Sequence, residues 1–192
     1  MNTKQKLLVL SCCAPCSAGA LKRLTDEGAE VSVLFYNPNI YPLEEHEKRK
    51  EEQRRLCEVL GVKFIALPYE PQVWDKAVKG LENEPERGKR CSVCFYMRLL
   101  RASEYALAHK FNAVTSVLGV SRYKDLNQVN TAARQVWIET GKPYIARNWR
   151  KNGVEELRRR LEKEMQLYKQ DYCGCKYSLQ ARTAQQQKEK SK

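Results

Sequence analysis

Seven of the eight cysteines lie in three short clusters whose spacing is typical of metal sites. SCCAPC contains two adjacent thiols and a third three residues later, CSVC has CxxC spacing, and YCGC has CxC spacing around a glycine that permits a tight turn. The clustered residues are Cys12, Cys13, Cys16, Cys91, Cys94, Cys173 and Cys175. In a chain kept in a reducing compartment, such clusters indicate metal binding or redox chemistry in preference to structural disulfides.

The number of thiols favours an iron–sulfur cluster over a single zinc ion. A structural zinc usually takes two CxxC-type pairs, whereas seven clustered thiols suit a four-ligand [4Fe–4S] cluster with a mononuclear site beside it. The adjacent side chains of Cys12 and Cys13 tend to diverge, so they suit two neighbouring centres or two irons. One structural zinc with spare buried cysteines remains open at this point. Cys57 stands beside Leu56 on the apolar face of a helix, where we expect an ordinary core residue.

Composition predicts one globular domain with a nucleic-acid partner. The chain has 192 residues, 42% of them hydrophobic, and its longest apolar stretch, Leu7–Leu10, is far too short to span a bilayer. We expect a single domain over 1–180, a basic, disordered tail over 181–192 and no membrane association. Because no signal peptide is recognisable, we expect a cytoplasmic location. A net charge of +12 favours a polyanionic partner, nucleic acid before membrane.

Strand and helix patterns alternate along the chain. Apolar runs predict strands at Leu7–Leu10, Val31–Tyr36, Val62–Leu67 and Ala113–Leu118, with a short fifth at Tyr144–Ala146. Helical patterns cover 18–27, with Ser17 as N-cap, and then 44–60, 72–80, 92–109, 124–140 and 153–169. This alternation predicts a mostly parallel, doubly wound α/β sheet with a helical C-terminal part.

SCCAPC occupies the place at which such folds bind their ligands. It follows the first strand and precedes the first helix, and open α/β sheets bind ligands beyond the carboxyl ends of their strands. The chain has neither GxGxxG nor GxxxxGKS/T, so thiols stand where a phosphate-binding loop is usual. The missing loop argues against an ATP-dependent tRNA sulfur-transfer enzyme. That alternative stays open, together with a zinc-containing RNA-binding module.

Four ordered segments, CCAPC, FYNPNIYP, RCSVCFYMRL and LYKQDYCGCKYS, resemble the QueH-type epoxyqueuosine reductases between about Leu7 and Arg182. The resemblance implies a cytoplasmic bacterial enzyme that reduces the epoxide of epoxyqueuosine in tRNA to queuosine without cobalamin. An unidentified donor would supply the electrons. It implies a sheet like that of the nucleotide-binding α-hydrolase-like (Rossmann-like) proteins. It also implies a [4Fe–4S] cluster and a neighbouring mononuclear iron on the clustered thiols, six of which match the family pattern directly. Cys16 stands where some relatives place an aspartate, and because both residue types bind iron we expect Cys16 to be a ligand as well.

Aromatic and amide side chains near the thiols are candidates to hold the modified base, which must leave the anticodon stack to reach a buried metal. The residues predicted around the base are Tyr36, Asn37, Asn39, Tyr41, Tyr96 and Tyr172. The two asparagines alternatively form an Asx-turn around Pro38, and each tyrosine alternatively packs in the core.

Cations are expected to contact the tRNA phosphates. Lys124 lies in SRYKD after the fourth strand, and RNWRKN combines Arg150 with Trp149, a pairing suited to a backbone phosphate and a stacked base. Arg158–Arg160 is interleaved with glutamates and is alternatively a solvated face. The chain's two histidines lie in charged helical segments, and no residue is assigned to catalysis.

Overall fold

The computed structural model describes residues 5–190, which build a four-stranded sheet. Its strands are β1 (Lys6–Ser11), β2 (Glu30–Phe35), β3 (Lys63–Ala66) and β4 (Ala113–Ser116), in the spatial order β3-β2-β1-β4. Every neighbouring pair is parallel. In β1 and β2 all residues after the first are buried, because a parallel sheet covered on both faces needs near-continuous apolar strands. The predicted parallel α/β sheet is confirmed.

Helices cover both faces of the sheet. They are α1 (Ala14–Asp26), α2 (Leu43–Val59), α3 (Pro71–Ala77), α4 (Lys89–Ala108), α5 (Leu126–Thr140), α6 (Val154–Glu164) and α7 (Lys176–Lys190). Helix α1 packs against α2 and α6, whereas α4 packs against α5, β1 and β4, so two layers enclose the strands. Among residues 5–190, no helix combines the length and the apolar character that a bilayer crossing requires.

The first helix starts earlier than its sequence pattern predicts. Helix α1 begins at Ala14 with Cys13 as its N-cap, because Pro15 has the backbone angle that a first turn needs. The predicted N-cap, Ser17, lies inside the helix, where its hydroxyl bonds the carbonyls of Cys13 and Ala14 at 3.0 and 3.1 Å. The N-cap prediction is therefore wrong, and the earlier start places Cys16 in the first turn of α1.

The predicted fifth strand is a single bridge. Tyr144 pairs with Val114 alone, through hydrogen bonds from the Val114 N–H to the Pro143 carbonyl at 2.9 Å and from the Ile145 N–H to the Val114 carbonyl at 2.8 Å. Pro143 has no N–H and limits the ladder on that side. The prediction of a strand at Tyr144–Ala146 is wrong for this reason.

Helix α6 ends at Glu164, earlier than the predicted 169. Gln166 adopts a positive φ of 49°, which is incompatible with a continuing helix. The chain then runs back across α2, where the Tyr168 N–H donates to Glu52 Oε1 at 2.8 Å. We call residues 165–175, between α6 and α7, the return segment; it carries the third cysteine cluster towards the other two.

The C-terminal tail is helical as far as the structure describes it. Helix α7 continues to Lys190, so the structure describes 181–190 as helix where the sequence predicts a disordered tail, and residues 191–192 lie outside the described chain. The tail is rich in Ala, Gln, Lys and Glu, which favour helix. Arg182 also reaches Asp171 at 3.4 Å and ties α7 to the return segment.

Candidate metal centre and substrate cleft

Three thiols meet at the carboxyl end of β1. Cys12 and Cys13 follow β1 directly, and Cys16 lies in the first turn of α1, whose N-terminus favours thiolates. Their Sγ atoms all lie within 4.8 Å of one another, and all three side chains are buried. Soft sulfur donors at this spacing fit one thiophilic metal ion. We call Cys12, Cys13 and Cys16 the strand-end thiols.

The strand-end thiols favour a negative charge on Cys12. Hydrogen bonds with Cys13 and Cys16 hold the pKa of Cys12 well below its ordinary value, although burial raises it, and Lys124 and Arg98 lower it further. The hydrogen bond with Cys12 in turn raises the pKa of Cys13 to about 11. A thiolate is the form of cysteine that binds metal, so the surroundings of Cys12 suit a metal ligand.

The other four clustered thiols form a second set. Cys91 and Cys94 lie near the start of α4, and Cys173 and Cys175 precede α7. Cys94 and Cys175 pack into one apolar cluster with Trp74. Burial raises the pKa of Cys173 to about 12, and the neighbouring thiols Cys175, Cys94 and Cys91 raise it as well. We call these four residues the helix-end thiols.

The two sets differ in spacing. Among the described residues, only the strand-end thiols bring three metal-ligating atoms within 4.8 Å of one another. The helix-end thiols offer four sulfurs that are less closely grouped, and a four-iron cube takes each thiolate at a different iron. The strand-end thiols therefore fit a metal ion, and the cluster that the sequence predicts on the remaining thiols stays a prediction.

A buried arginine orients the segment that carries two helix-end thiols. Arg49 on α2 donates from Nη1 to the carbonyl of Cys173 at 3.2 Å and is paired with Glu45 at 2.6 Å. Gly174 has a φ of +130°, and a Cβ there would lie 3.0 Å from Arg49 Nη1. Gly174 thus lets the CGC segment turn closely around Arg49. No sequence pattern distinguishes Arg49, because it is one of many charged residues in α2.

A second buried arginine fixes the segment after β2. Arg98 on α4 donates from Nε to the Tyr36 carbonyl at 3.3 Å and from Nη2 to Asn37 Oδ1. Asn37 Nδ2 donates to the Ser11 carbonyl at 2.9 Å, so both of its polar groups are used within the protein. Tyr36 is buried as well. Burial and these contacts place Tyr36 and Asn37 in the scaffold of the site and argue against the direct substrate contacts predicted for them.

The other residues predicted around the base have different surroundings. Tyr41 is 51% exposed, and its carbonyl accepts a hydrogen bond from the buried Tyr172 at 2.5 Å. Tyr96 donates to Glu139 Oε2 at 2.6 Å. Asn39 is buried, and its Oδ1 has no hydrogen-bond partner among the described residues. Of the four, Tyr41 has the most exposed side chain, and its contact with the substrate stays a prediction.

The residues predicted to contact the tRNA backbone make hydrogen bonds within the protein, and of these Lys124 and Trp149 are buried whereas Arg150 is exposed. Trp149 is 4% exposed, and its Nε1 donates to the Ser116 carbonyl at 3.0 Å. Arg150 donates to the carbonyl of Lys124 at 3.2 Å and braces that loop. Lys124 is itself 4% exposed, with Nζ 3.7 Å from Cys12 Sγ. The burial of Lys124 and Trp149 argues against the phosphate contact and the base stacking that the sequence predicts for them.

A cleft of about 690 Å³ reaches Cys16 between the 120–123 segment and α6. Gln170 also lines it and donates from Nε2 to Cys13 Sγ at 2.9 Å. The cations that line the cleft are Arg122, Arg158, Arg159, Lys163 and Lys169. The Arg158–Arg160 segment, whose alternative interpretation was a solvated face, therefore contributes to a cationic cleft that leads to the strand-end thiols.

This fold and this site define a Rossmann-like α/β protein with buried thiols, suited to metal binding, at the carboxyl edge of its sheet. Residues 7–181 match the family model described as "Epoxyqueuosine reductase QueH". The chain belongs to this QueH family and is an oxidoreductase, as its four ordered segments predicted. The alternatives, a nonenzymatic RNA-binding module and a sulfur-transfer enzyme, are not supported by this membership.

Curated relatives and one solved structure agree with this assignment. The epoxyqueuosine reductase QueH of Haemophilus influenzae is 45% identical over 175 residues, covering 91% of this chain and 71% of that protein. The one from Acinetobacter baylyi is 43% identical over 179 residues, covering 93% and 82%. A crystal structure described as a "predicted subunit of tRNA methyltransferase" from Methanocaldococcus jannaschii has a TM-score of 0.57 at 13% identity, covering 81% of this chain and 74% of that one. This last likeness concerns the fold alone.

Proposed function

We propose that this protein reduces the epoxide of epoxyqueuosine in tRNA to queuosine, without cobalamin, through a [4Fe–4S] cluster and an adjacent mononuclear iron. The observation that carries the proposal is the group of three strand-end thiols, which lie within 4.8 Å of one another where a cleft lined by cations reaches Cys16. The names of the relatives support the reaction. The proposed location is the cytoplasm, where an unidentified reductant supplies the electrons.

We assign the two sets of thiols to different centres. The strand-end thiols, which lie within 4.8 Å of one another, would hold the single iron. The helix-end thiols, contributed by the start of α4 and the segment before α7, would hold the cluster. Lys124, which contacts Cys12 Sγ at 3.7 Å, is also near enough to Cys173 to interact with it electrostatically, so one buried lysine lies near residues of both sets.

Removing an epoxide oxygen takes two electrons and two protons, and when bound the cluster supplies the electrons singly while the iron acts as a Lewis acid on the oxygen. The protein's own residues prepare the site. Cys12 and Cys13 are buried and shielded from water, whereas Cys16, which lines the cleft, is the strand-end thiol nearest to an incoming substrate. Gln170, which lines the cleft, donates a hydrogen bond to the Cys13 sulfur.

The cleft is the proposed approach of the tRNA. The modified base must leave the anticodon stack to reach Cys16, since the thiols are buried. Arg122, Arg159 and Lys163 border the cleft and would contact the phosphates that flank the extruded base. Arg158 contributes less to phosphate binding because its side chain is 18% exposed and pairs with both Glu155 and Glu162. Arg159 also pairs with Glu155, at 3.2 Å, but its side chain is 71% exposed and can turn to a phosphate.

A single-turnover assay tests this function. Anaerobically purified, iron-loaded protein is reduced with dithionite and mixed with tRNA that contains epoxyqueuosine, in the absence of cobalamin. Nucleoside analysis is expected to show queuosine in proportion to the protein added, and Cys57→Ala serves as a control that keeps seven clustered thiols. Fully iron-loaded, folded protein that forms no queuosine would overturn the proposal.

A further inference from the structure

Lys124 is a buried cation with an unusual environment. It lies 4% exposed in the loop between β4 and α5, and its Nζ donates to Cys12 Sγ at 3.7 Å. Among the described residues, no carboxylate lies within ion-pairing distance of this ammonium; Glu86 is near enough to sense its charge but makes no ion pair with it. The two other buried cations of the site, Arg49 and Arg98, in contrast donate to carbonyl or side-chain oxygens.

Burying an ammonium group is unfavourable unless an anion compensates it. Cys12 Sγ lies 3.7 Å from the ammonium, and Cys173, Cys16 and Cys13 are near enough to act on its charge. The anion in contact with the ammonium is therefore the thiolate of Cys12, and a thiolate is the form of cysteine that binds metal.

The loop holds Lys124 in this place. The Lys124 N–H donates to the Ser121 carbonyl at 3.1 Å, and Arg150 Nη2 donates to the carbonyls of Ser121 and Lys124 at 2.6 and 3.2 Å. Asp125, the next residue, caps α5 by accepting from the Gln128 N–H at 2.9 Å. Backbone contacts on both sides thus fix the direction from which the ammonium enters the site.

We propose that Lys124 is a positioning residue that compensates the negative charge of both thiol sets and thereby makes the iron centres easier to reduce. The inference rests on the proposed function, because it concerns the iron centres assigned there. A cation close to a redox centre stabilises the state that carries the additional electron, so its removal shifts the reduction potential to a more negative value. The same charge also favours thiolates over thiols and so favours retention of the metal.

Two substitutions separate charge from shape. Lys124→Met keeps much of the length and volume of the side chain but removes its charge, whereas Lys124→Arg keeps the charge. Lys163→Met is the matched control, because Lys163 is an exposed lysine of α6 that lines the same cleft. The measurements are iron per chain, melting temperature and the midpoint potential of the visible chromophore, from a dye-mediated anaerobic titration.

We expect Lys124→Met to shift the midpoint to a more negative potential, or to lose iron that Lys124→Arg retains. Lys163→Met should have the midpoint of the wild type. An iron-loaded Lys124→Met with an unchanged midpoint overturns the inference while leaving the proposed function intact. Equal losses of iron and melting temperature in Lys124→Met and Lys124→Arg also overturn it, because they indicate a role in packing. Wild-type protein that binds no iron contradicts the proposed function and this inference together.

The tRNA affinity of the same variants provides a second readout. If Lys124 acts on the iron centres, the salt dependence of tRNA binding should be unchanged in Lys124→Met, because a buried ammonium releases no counterion from a phosphate. Lys163→Met is expected to weaken the salt dependence. A flatter salt dependence in Lys124→Met, without a change in potential, would assign Lys124 to phosphate binding and contradict the inference.

Discussion

Cys16 is the thiol whose substitution can alter one proposed metal centre while leaving the other in place. Its Sγ lies within 4.8 Å of those of Cys12 and Cys13, yet it is also part of the cleft wall. A carboxylate can replace a thiolate as an iron ligand, although it is a harder donor. The identity of this side chain should therefore affect the single iron more than the cluster.

We expect Cys16→Asp to keep part of the single-turnover activity and Cys16→Ala to lose most of it. Both variants should keep the visible spectrum of the cluster, since the helix-end thiols are untouched. Cys57→Ala, which removes a buried thiol outside both sets, is the control and should keep both activity and spectrum. Wild-type activity in Cys16→Ala would remove Cys16 from the site.

At the scale of elements, the segment before α7 depends on one close backbone approach. Gly174 combines a φ of +130° with a position where a Cβ would meet Arg49 Nη1 at 3.0 Å. We expect Gly174→Ala to lower the free energy of unfolding by about 1–3 kcal/mol and to reduce iron content, because Cys173 and Cys175 would be displaced. Gly141→Ala is the control, since Gly141 has a φ of +70° with nothing within 4 Å of an added Cβ. Equal iron content in the two variants would show that the close approach is dispensable.

Trp149 ties the segment before α6 to the end of β4. Its indole N–H donates to the Ser116 carbonyl at 3.0 Å, and the ring is 4% exposed. Trp149→Ala should therefore cost about 3–5 kcal/mol of stability, seen as a lower melting temperature, while tRNA affinity per folded molecule stays unchanged. Trp137→Ala, at a tryptophan that is 45% exposed, should have a much smaller effect on melting. A loss of affinity without a loss of stability in Trp149→Ala would restore base stacking as its role.

The sequence predicted the elements and the thiols better than it predicted their neighbours. Strands and cysteine clusters are local patterns, so apolar runs and spacing were enough to find them. The contacts that complete the site join distant residues: Lys124 and Cys12 are 112 positions apart, and Arg49 and Cys173 are 124 apart. No local pattern distinguishes these buried cations from the many exposed ones. For the same reason Lys124 and Trp149 were taken for surface residues.

At the scale of the whole molecule, the net charge of +12 explains tRNA binding only through the positions of the cations that are not neutralised by neighbours. Many cations are neutralised along their own helix, as Arg54 is by Glu51 and Glu58. Those that border the cleft differ in position, because they surround the route to Cys16. The overall excess of charge aids encounter with an anion, whereas the cleft determines where the anion is held.

This distribution predicts which cations set the salt dependence of binding. Arg159→Ala and Lys163→Ala should each reduce the slope of log affinity against log salt by about one unit, since each removes about one phosphate contact. Arg101→Ala, at an exposed arginine of α4 outside the cleft, should leave the slope unchanged. Binding is measured with modified and unmodified tRNA, and both should respond alike. An unchanged slope in both cleft variants would place the phosphate contacts elsewhere.

The iron content of anaerobically purified protein tests the central claim, two metal centres on two thiol sets, most directly. We predict about five irons per chain in the wild type, four of them in the cluster. Cys13→Ala, which alters the strand-end thiols, should keep about four irons, and Cys94→Ala, which alters the helix-end thiols, should keep at most about one. Cys57→Ala should match the wild type. Wild-type protein with one zinc and almost no iron, or equal iron losses in Cys13→Ala and Cys94→Ala, would contradict the account.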